Sequence, residues 1–211
     1  LLRNRYLSLD PYMRGRMSDA ESYAEPVEVG DTMGGATVSE VVESRSDAVS
    51  VGAVVLGYTG WQSHAVVDAS SVRVLDPEKA PVSTALGVLG MPGFTAYSGM
   101  TKIGQPKAGE TVVVAAASGP VGSAVGQFAK IKGARAVGIA GGPEKCAYLI
   151  DELGFDAAVD HRSPDFKDQL KAATPDGIDV YFENVGGAVA KAVLPRLNLY
   201  ARVPVCGLIA Q

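Results

Sequence analysis

The chain has 211 residues, 47% hydrophobic, 20% charged and 7% aromatic, with 25 glycines and 12 prolines, a composition that supports a packed core and excludes disordered and collagen-like chains. Basic residues number 9 against 13 acidic before Thr111 and 10 against 10 from there on, so neither half carries the basic excess that nucleic acid or an anionic membrane would demand. Cys146 and Cys206 stand far apart, which gives neither a disulfide framework nor a metal cluster; a reducing, cytoplasmic setting is the expectation.

No window approaches the ~18 apolar residues of a spanning helix, and Leu1-Leu2-Arg3-Asn4-Arg5 lacks the apolar stretch of a signal peptide. The chain opens without Met in a strand pattern and stops at Gln211 just after another, so it reads as a piece of a longer protein. Short, turn-bounded β signals at 37–42, 51–56, 64–67 and 72–75 predict a small antiparallel, barrel-like domain over residues 1–80. Residues 81–110 are mostly helical in pattern, broken by Pro92 and Gly93, and read as a bridge. From Thr111 the texture changes. Strands at 111–116, 134–140, 157–160, 178–183 and 201–208 alternate with helices near 121–132, 143–153, 165–173 and 188–197. This is the sequence form of an α/β domain with a doubly wound parallel sheet, the Rossmann arrangement, over residues 111–211.

The first strand of that domain runs into Ala117-Ser118-Gly119-Pro120-Val121-Gly122 and then a helix bearing Gly126. This is the G-x-G-x-x-G fingerprint with Ala in the first slot. Gly119 would let the backbone approach a pyrophosphate, the helix N-terminus offers N–H groups, and Gly122 and Gly126 let the helix lie close on the sheet. The competing reading is that small residues after a βα turn serve packing alone. The second strand then discriminates between cofactors. An NAD site ends it with an acid that bonds the ribose 2′-OH, whereas here it ends in Gly141-Gly142. That leaves room for a 2′-phosphate, with Lys145 one helical turn on as a cation, and favours NADP(H). Against this, Gly142-Pro143-Glu144 also reads as a simple helix start with Lys145 as a solvated charge.

Taken together, Ser8-Leu9-Asp10-Pro11-Tyr12-Met13-Arg14, Gly90-Met91-Pro92-Gly93-Phe94-Thr95-Ala96-Tyr97, the Gly-rich turn with Gly126-Gln127, Gly142 to Lys145 and Glu183-Asn184-Val185-Gly186-Gly187 resemble the zinc-independent medium-chain dehydrogenase/reductases. Within them the likeness is to the prostaglandin reductase, leukotriene dehydrogenase and curcumin reductase group, from one end of the chain to the other. The resemblance implies a GroES-like catalytic domain beside an NADP-binding Rossmann domain, both incomplete. It also implies reduction of the C=C bond of α,β-unsaturated ketones or aldehydes with NADPH, and a homodimer in the full-length protein. Carried over by position, Gly119, Pro120, Val121 and Gly122 cradle the pyrophosphate, Gly142 and Lys145 meet the 2′-phosphate, and Asn184 approaches the ribose and nicotinamide. Cys206 and Gly207 begin the segment beside the nicotinamide. Where related sequences often have Tyr near the phosphate, this chain has His161, a residue that can still bond it, and Arg162 could share the role.

Reduction of an enone needs a hydride at the β-carbon, a donor to the oxygen that becomes an enolate, and a proton for the α-carbon. No catalytic acid is nominated within these residues. Tyr12 is a candidate hydroxyl of the substrate pocket, beside the alternative that it packs on Arg14 or Arg16. A zinc alcohol dehydrogenase would need three protein ligands. The two histidines, His64 and His161, have no cysteine near them in sequence, and Gly30-Asp31-Thr32-Met33 lacks a His-Glu pair, so no metal is expected. Trp61 reads as a strand aromatic or a rim of the cleft, and Cys206 as a small buried hydrophobe. The rival functions are a quinone reductase of the same fold and a non-catalytic NADPH-binding module.

Overall fold

The computed structural model describes residues 1–210 and divides the chain into two compact units, residues 1–90 and 91–211. The first unit is built on five antiparallel strands, β1 (Leu2–Leu7), β2 (Thr37–Val41), β3 (Val54–Gly57), β4 (His64–Ala65) and β5 (Arg73–Val74), in the order β4-β1-β2-β3-β5. Leu2, Val41, Val49 and Val55 form its apolar centre. Strand β2 is buried on both faces, so Thr37 and Ser39, both fully enclosed, need partners. They find them in a hydroxyl network: Thr37 Oγ1 lies 2.7 Å from Thr59 Oγ1, and Asn4 Oδ1 accepts from Ser39 Oγ (2.7 Å) and Thr59 Oγ1 (3.0 Å). A four-residue helix, α1 (Tyr12–Gly15), follows β1.

The strand signal at 51–56 shortens to β3 because Val51 and Gly52 form a turn, with Gly52 at a φ of 85°. Trp61 lies in a bend outside any strand and is 42% exposed. Val82–Leu86 is a 3₁₀ turn that ends the first unit. A Cβ at Gly90 would stand 2.1 Å from the Ala85 carbonyl oxygen, so only glycine fits there.

The second unit opens with α2 (Met91–Ser98), continued by a π-helical turn at Gly99–Gly104. Pro92 and Gly93, expected to interrupt the helix, lie in its first turn, where a missing N–H has no intrahelical acceptor to lose. Strands β6 (Thr111–Ala115), β7 (Arg135–Ala140), β8 (Ala157–Asp160), β9 (Ile178–Phe182) and β10 (Leu197–Arg202) form a parallel sheet in the order β10-β9-β6-β7-β8. Helices α3 (Pro120–Ile131), α4 (Pro143–Asp151), α5 (Phe166–Ala173) and α6 (Gly187–Val193) connect them. Strand β6 alternates its side chains between two cores: Val112 and Val114 pack with Ala124, Val125 and Phe155, and Val113 and Ala115 with Leu170, Ile178 and Val189.

The last strand falls earlier than the expected 201–208. Beyond Arg202 only an isolated bridge between Glu183 and Val205 continues the pairing. Its register with β9 shifts between Leu197 and Arg202, where Tyr200 takes a φ of 62°. Among the described residues, no helix is long and apolar enough to cross a membrane.

Candidate functional site

In a sheet of this order the chain leaves β6 toward β7 on one side and reaches β9 on the other, so a crevice opens at the carboxyl ends of the strands. The residues singled out in the second unit gather at those ends. At the end of β6, Ala116 takes the left-handed φ of 53°, its carbonyl accepts from Gly119 N–H (3.0 Å), and Gly119 caps α3 in an extended conformation. Ser123 N–H returns to Gly119 O (2.9 Å). The N–H groups of Val121 and Gly122 precede it in the first turn, where no intrahelical acceptor exists.

Three glycines here obey different demands. A Cβ at Gly122 would meet Ala116 O at 2.4 Å, and one at Gly126 would meet the Phe155 ring at 2.0 Å, so both are required by packing. Gly119 is not: its φ is −79°, open to any residue, and the nearest atom to an added Cβ is Ala116 O at 3.3 Å. The packing demand there is therefore much weaker than at Gly122 or Gly126. A pyrophosphate resting on the first turn of α3 would meet its free N–H groups.

Beyond β7 the chain turns at Gly141 and Gly142, the latter with a φ of 97° that favours glycine. A Cβ at Gly141 would stand 2.8 Å from Arg162 Nε and 2.9 Å from His161 Nε2, so two nitrogen-bearing side chains converge on this turn. Asp160, at the end of β8, arranges them: its Oδ1 accepts from Gly142 N–H (2.9 Å) and Arg162 N–H (2.9 Å). Those two N–H groups hold its carboxyl below the ordinary aspartate value. Lys145 is exposed in the first turn of α4 with no hydrogen-bond or ion-pair partner among the described residues. Strand β7 itself does not end in an acid, and Lys145, His161 and Arg162 gather near its turn, where they outnumber the one carboxylate, Asp160, that bonds Gly142 N–H.

On the other side of β6, Asn184 Nδ2 donates to Ala115 O (2.8 Å) across the strand ends. The returning segment runs beside it: Cys206 N–H and Gly207 N–H both donate to Glu183 O (2.9 and 3.2 Å), and Ala210 N–H donates to Val185 O (2.9 Å). Cys206, expected buried, is exposed, because the chain at this point is a single bridge beyond the sheet edge and not a covered strand. Partial burial still pushes its thiol above the ordinary value. No group of three or more His, Cys, Asp or Glu among the described residues could hold a metal ion.

Tyr12 belongs to the first unit. Its hydroxyl lies 2.5 Å from the Tyr58 hydroxyl, and the Arg16 guanidinium lies 6.0 Å from its ring centroid, closer to Tyr23 at 4.5 Å. Burial, then the Tyr58 hydroxyl, push its pKa above the ordinary tyrosine value. Sequence reasoning missed Tyr58 as the partner and missed Glu183. The latter did leave a signal: an acid closing an apolar strand directly before an Asn-Val-Gly-Gly turn.

Known proteins match the chain on both units. A family model described as the N-terminal domain of oxidoreductase matches residues 1–75, and one described as zinc-binding dehydrogenase matches residues 120–211. The NADPH-dependent curcumin reductase of Escherichia coli (strain K12) is 58% identical over 211 residues, which cover 100% of this chain and 61% of that protein. Prostaglandin reductase 1 of Rattus norvegicus is 45% identical over 100% of this chain and 63% of its own length. The crystal structure of CurA in complex with NADPH from Vibrio vulnificus superposes with a TM-score of 0.94 at 57% identity, covering 100% of this chain and 62% of that one. A Rossmann sheet, an antiparallel sheet and these matches make the chain similar on both units to oxidoreductases of the medium-chain dehydrogenase/reductase kind. The chain spans somewhat over three-fifths of the length of the relatives it matches.

Proposed function

We propose that the whole protein is an NADPH-dependent reductase of the C=C bond of α,β-unsaturated ketones or aldehydes, acting as a homodimer. The observation that carries this reading is the pairing of Gly119 at the cap of α3, whose φ does not itself demand glycine, with a β7 turn on which the His161 and Arg162 nitrogens converge. The names of the relatives, a curcumin reductase and a prostaglandin reductase, support the substrate class.

When bound, the cofactor would supply the hydride for the β-carbon of the enone. The protein's own residues bind and orient. Gly119, Val121 and Gly122 receive the pyrophosphate on the α3 terminus, with Pro120 fixing the first turn. Gly142 yields space at the end of β7, where Lys145, His161 and Arg162 neutralise the 2′-phosphate. Asn184, its Nδ2 held by Ala115 O, would lie near the ribose end, and Cys206 and Gly207 would border the nicotinamide. The Tyr12 hydroxyl, paired with that of Tyr58, is a candidate hydrogen-bonding group of the substrate pocket.

The test is turnover of the whole protein with NADPH against a panel of alkenals, aryl enones and quinones. Consumption with the alkenals and enones supports the reading. Turnover confined to quinones makes it a quinone reductase, and bound NADPH without consumption leaves only a cofactor-binding module.

A further inference from the structure

Glu183 sits at the carboxyl end of β9 with 4% of its surface exposed, and none of the described ion pairs involves it. Its carboxylate is nonetheless fully engaged. Oε1 accepts from Val185 N–H (2.6 Å) and Gly186 N–H (2.8 Å), and Oε2 accepts from the Tyr181 hydroxyl (2.8 Å). Its main chain adds three more bonds: the N–H donates to Pro204 O, and the carbonyl accepts from Cys206 N–H and Gly207 N–H. A buried charge facing only neutral donors is costly, and a neutral side chain would spare that cost. A carboxylate has one property this place uses. As an acceptor only, with charge-assisted bonds about twice as strong as neutral ones, it pulls two successive N–H groups toward one oxygen and so fixes the curl of the chain after it. That curl is completed by Gly186 and Gly187, with φ of 76° and 55°, and it carries Asn184 between the carboxylate's own residue and its two donors.

We propose that Glu183 is a positioning residue for the reduction: its Oε1 shapes the 184–187 turn so that Asn184 and the adjoining 206–207 segment hold the ribose–nicotinamide end of the cofactor. The inference rests on the function proposed above. The Tyr181 contact stabilises the carboxylate from the core side and takes no part in shaping the turn, because it engages the other oxygen. Tyr181 is therefore the internal control, since its loss weakens the fold without freeing the turn.

The experiment uses the whole protein and its Glu183→Ala, Glu183→Gln and Tyr181→Phe variants. It reads NADPH binding by fluorescence titration without substrate, kcat at saturating NADPH, and thermal melting. Glu183→Ala is expected to weaken NADPH binding and to lower kcat about 10- to 100-fold, the scale of a reacting group misplaced by about an ångström. Glu183→Gln, whose amide oxygen can accept the same two N–H groups while its NH₂ donates to Tyr181 Oη, is expected to restore part of both and to fall short of wild type, because its bonds are no longer charge-assisted. Tyr181→Phe is expected to melt earlier with wild-type kcat and binding. Wild-type kcat and binding in a folded Glu183→Ala overturn the proposal, as does a Tyr181→Phe variant that loses as much of both. If the Ala variant does not fold, Glu183→Ser is read in the same way. A wild-type protein that binds no NADPH refutes the proposed function itself, and that result appears before any variant is compared.

Discussion

A methyl group added at Gly119 and one added at Gly122 meet different surroundings, and the difference separates ligand demand from packing demand. At Gly122 the new Cβ meets main-chain atoms of Ala116 and Ala117 at 2.4 and 2.7 Å, so the turn itself must move, and Gly122→Ala should destabilise by roughly 1–3 kcal/mol. At Gly119 the backbone suits alanine and the neighbour need yield only a few tenths of an ångström, so Gly119→Ala should leave the melting temperature nearly unchanged. Its effect should fall on NADPH, with affinity reduced about tenfold or more, or ~1.4 kcal/mol, by titration. Equal loss of stability in both variants would return Gly119 to a packing role. Lys145→Ala should weaken NADPH binding by roughly 1–3 kcal/mol and leave NADH nearly unaffected. Equal weakening of both cofactors would remove Lys145 from the 2′-phosphate. The fingerprint and the missing acid were legible because glycine and charge are read one residue at a time. The convergence of His161 and Arg162 on Gly141 was only half legible, since it depends on where two side chains point after β8.

At the scale of elements, β6, β7, β8 and β9 start within one residue of expectation and end within one, because each is an apolar run bounded by a turn and buried by helices on both faces. The starts of α3 and α4 are as well marked, each with glycine at the cap and proline at the first position. Strand β10 escaped. Its Leu197–Arg202 run is half exposed at the sheet edge and broken by Tyr200, so it shows no apolar period, whereas Val203-Pro204-Val205 looks like a strand and forms only a bridge. The contact of α3 with the sheet gives the element-scale prediction. Gly126 faces Phe155, which is 4% exposed, and an added Cβ would stand 2.0 Å from its ring. Gly126→Ala should lower stability by roughly 1–3 kcal/mol despite the better helix propensity of alanine. Adding Phe155→Leu should recover part of that loss, as measured by denaturant melts. A stabilised Gly126→Ala would mean that α3 does not lie on the sheet at this distance.

Across the whole molecule, carboxylates in both units are held below their ordinary pKa values, which fixes the direction of the acid response. In the first unit, Glu40 accepts from Arg3 and Arg5, with Nη2 of each 2.6 Å from its Oε2. In the second, Arg202 donates to both oxygens of Glu110 (2.5 and 3.1 Å) and also to the carbonyls of Gly104, Gln105 and Asp179, tying β10 to the start of the sheet. The Arg202 side chain, followed by burial that opposes it and the Lys107 N–H that aids it, leaves the Glu110 carboxyl below the ordinary glutamate value. At Asp156 burial opposes ionisation, but the Lys130 ammonium and Ala136 N–H outweigh it. A group whose folded pKa is depressed contributes stability above its unfolded pKa and loses it as pH falls through the folded one. Stability from these groups should therefore be constant from pH 7 down to about pH 5 and decline below the ordinary carboxylate range near pH 4. Arg202→Ala isolates one of them. At pH 7 it should cost roughly 1–3 kcal/mol, as charged hydrogen bonds and carbonyl partners are lost together. The part due to Glu110 should disappear as the carboxyl protonates, so wild type and variant should draw together between pH 5 and pH 3 in urea melts. A gap that stays constant through that range would assign the stabilisation to the carbonyl contacts alone and remove Glu110 from the acid response.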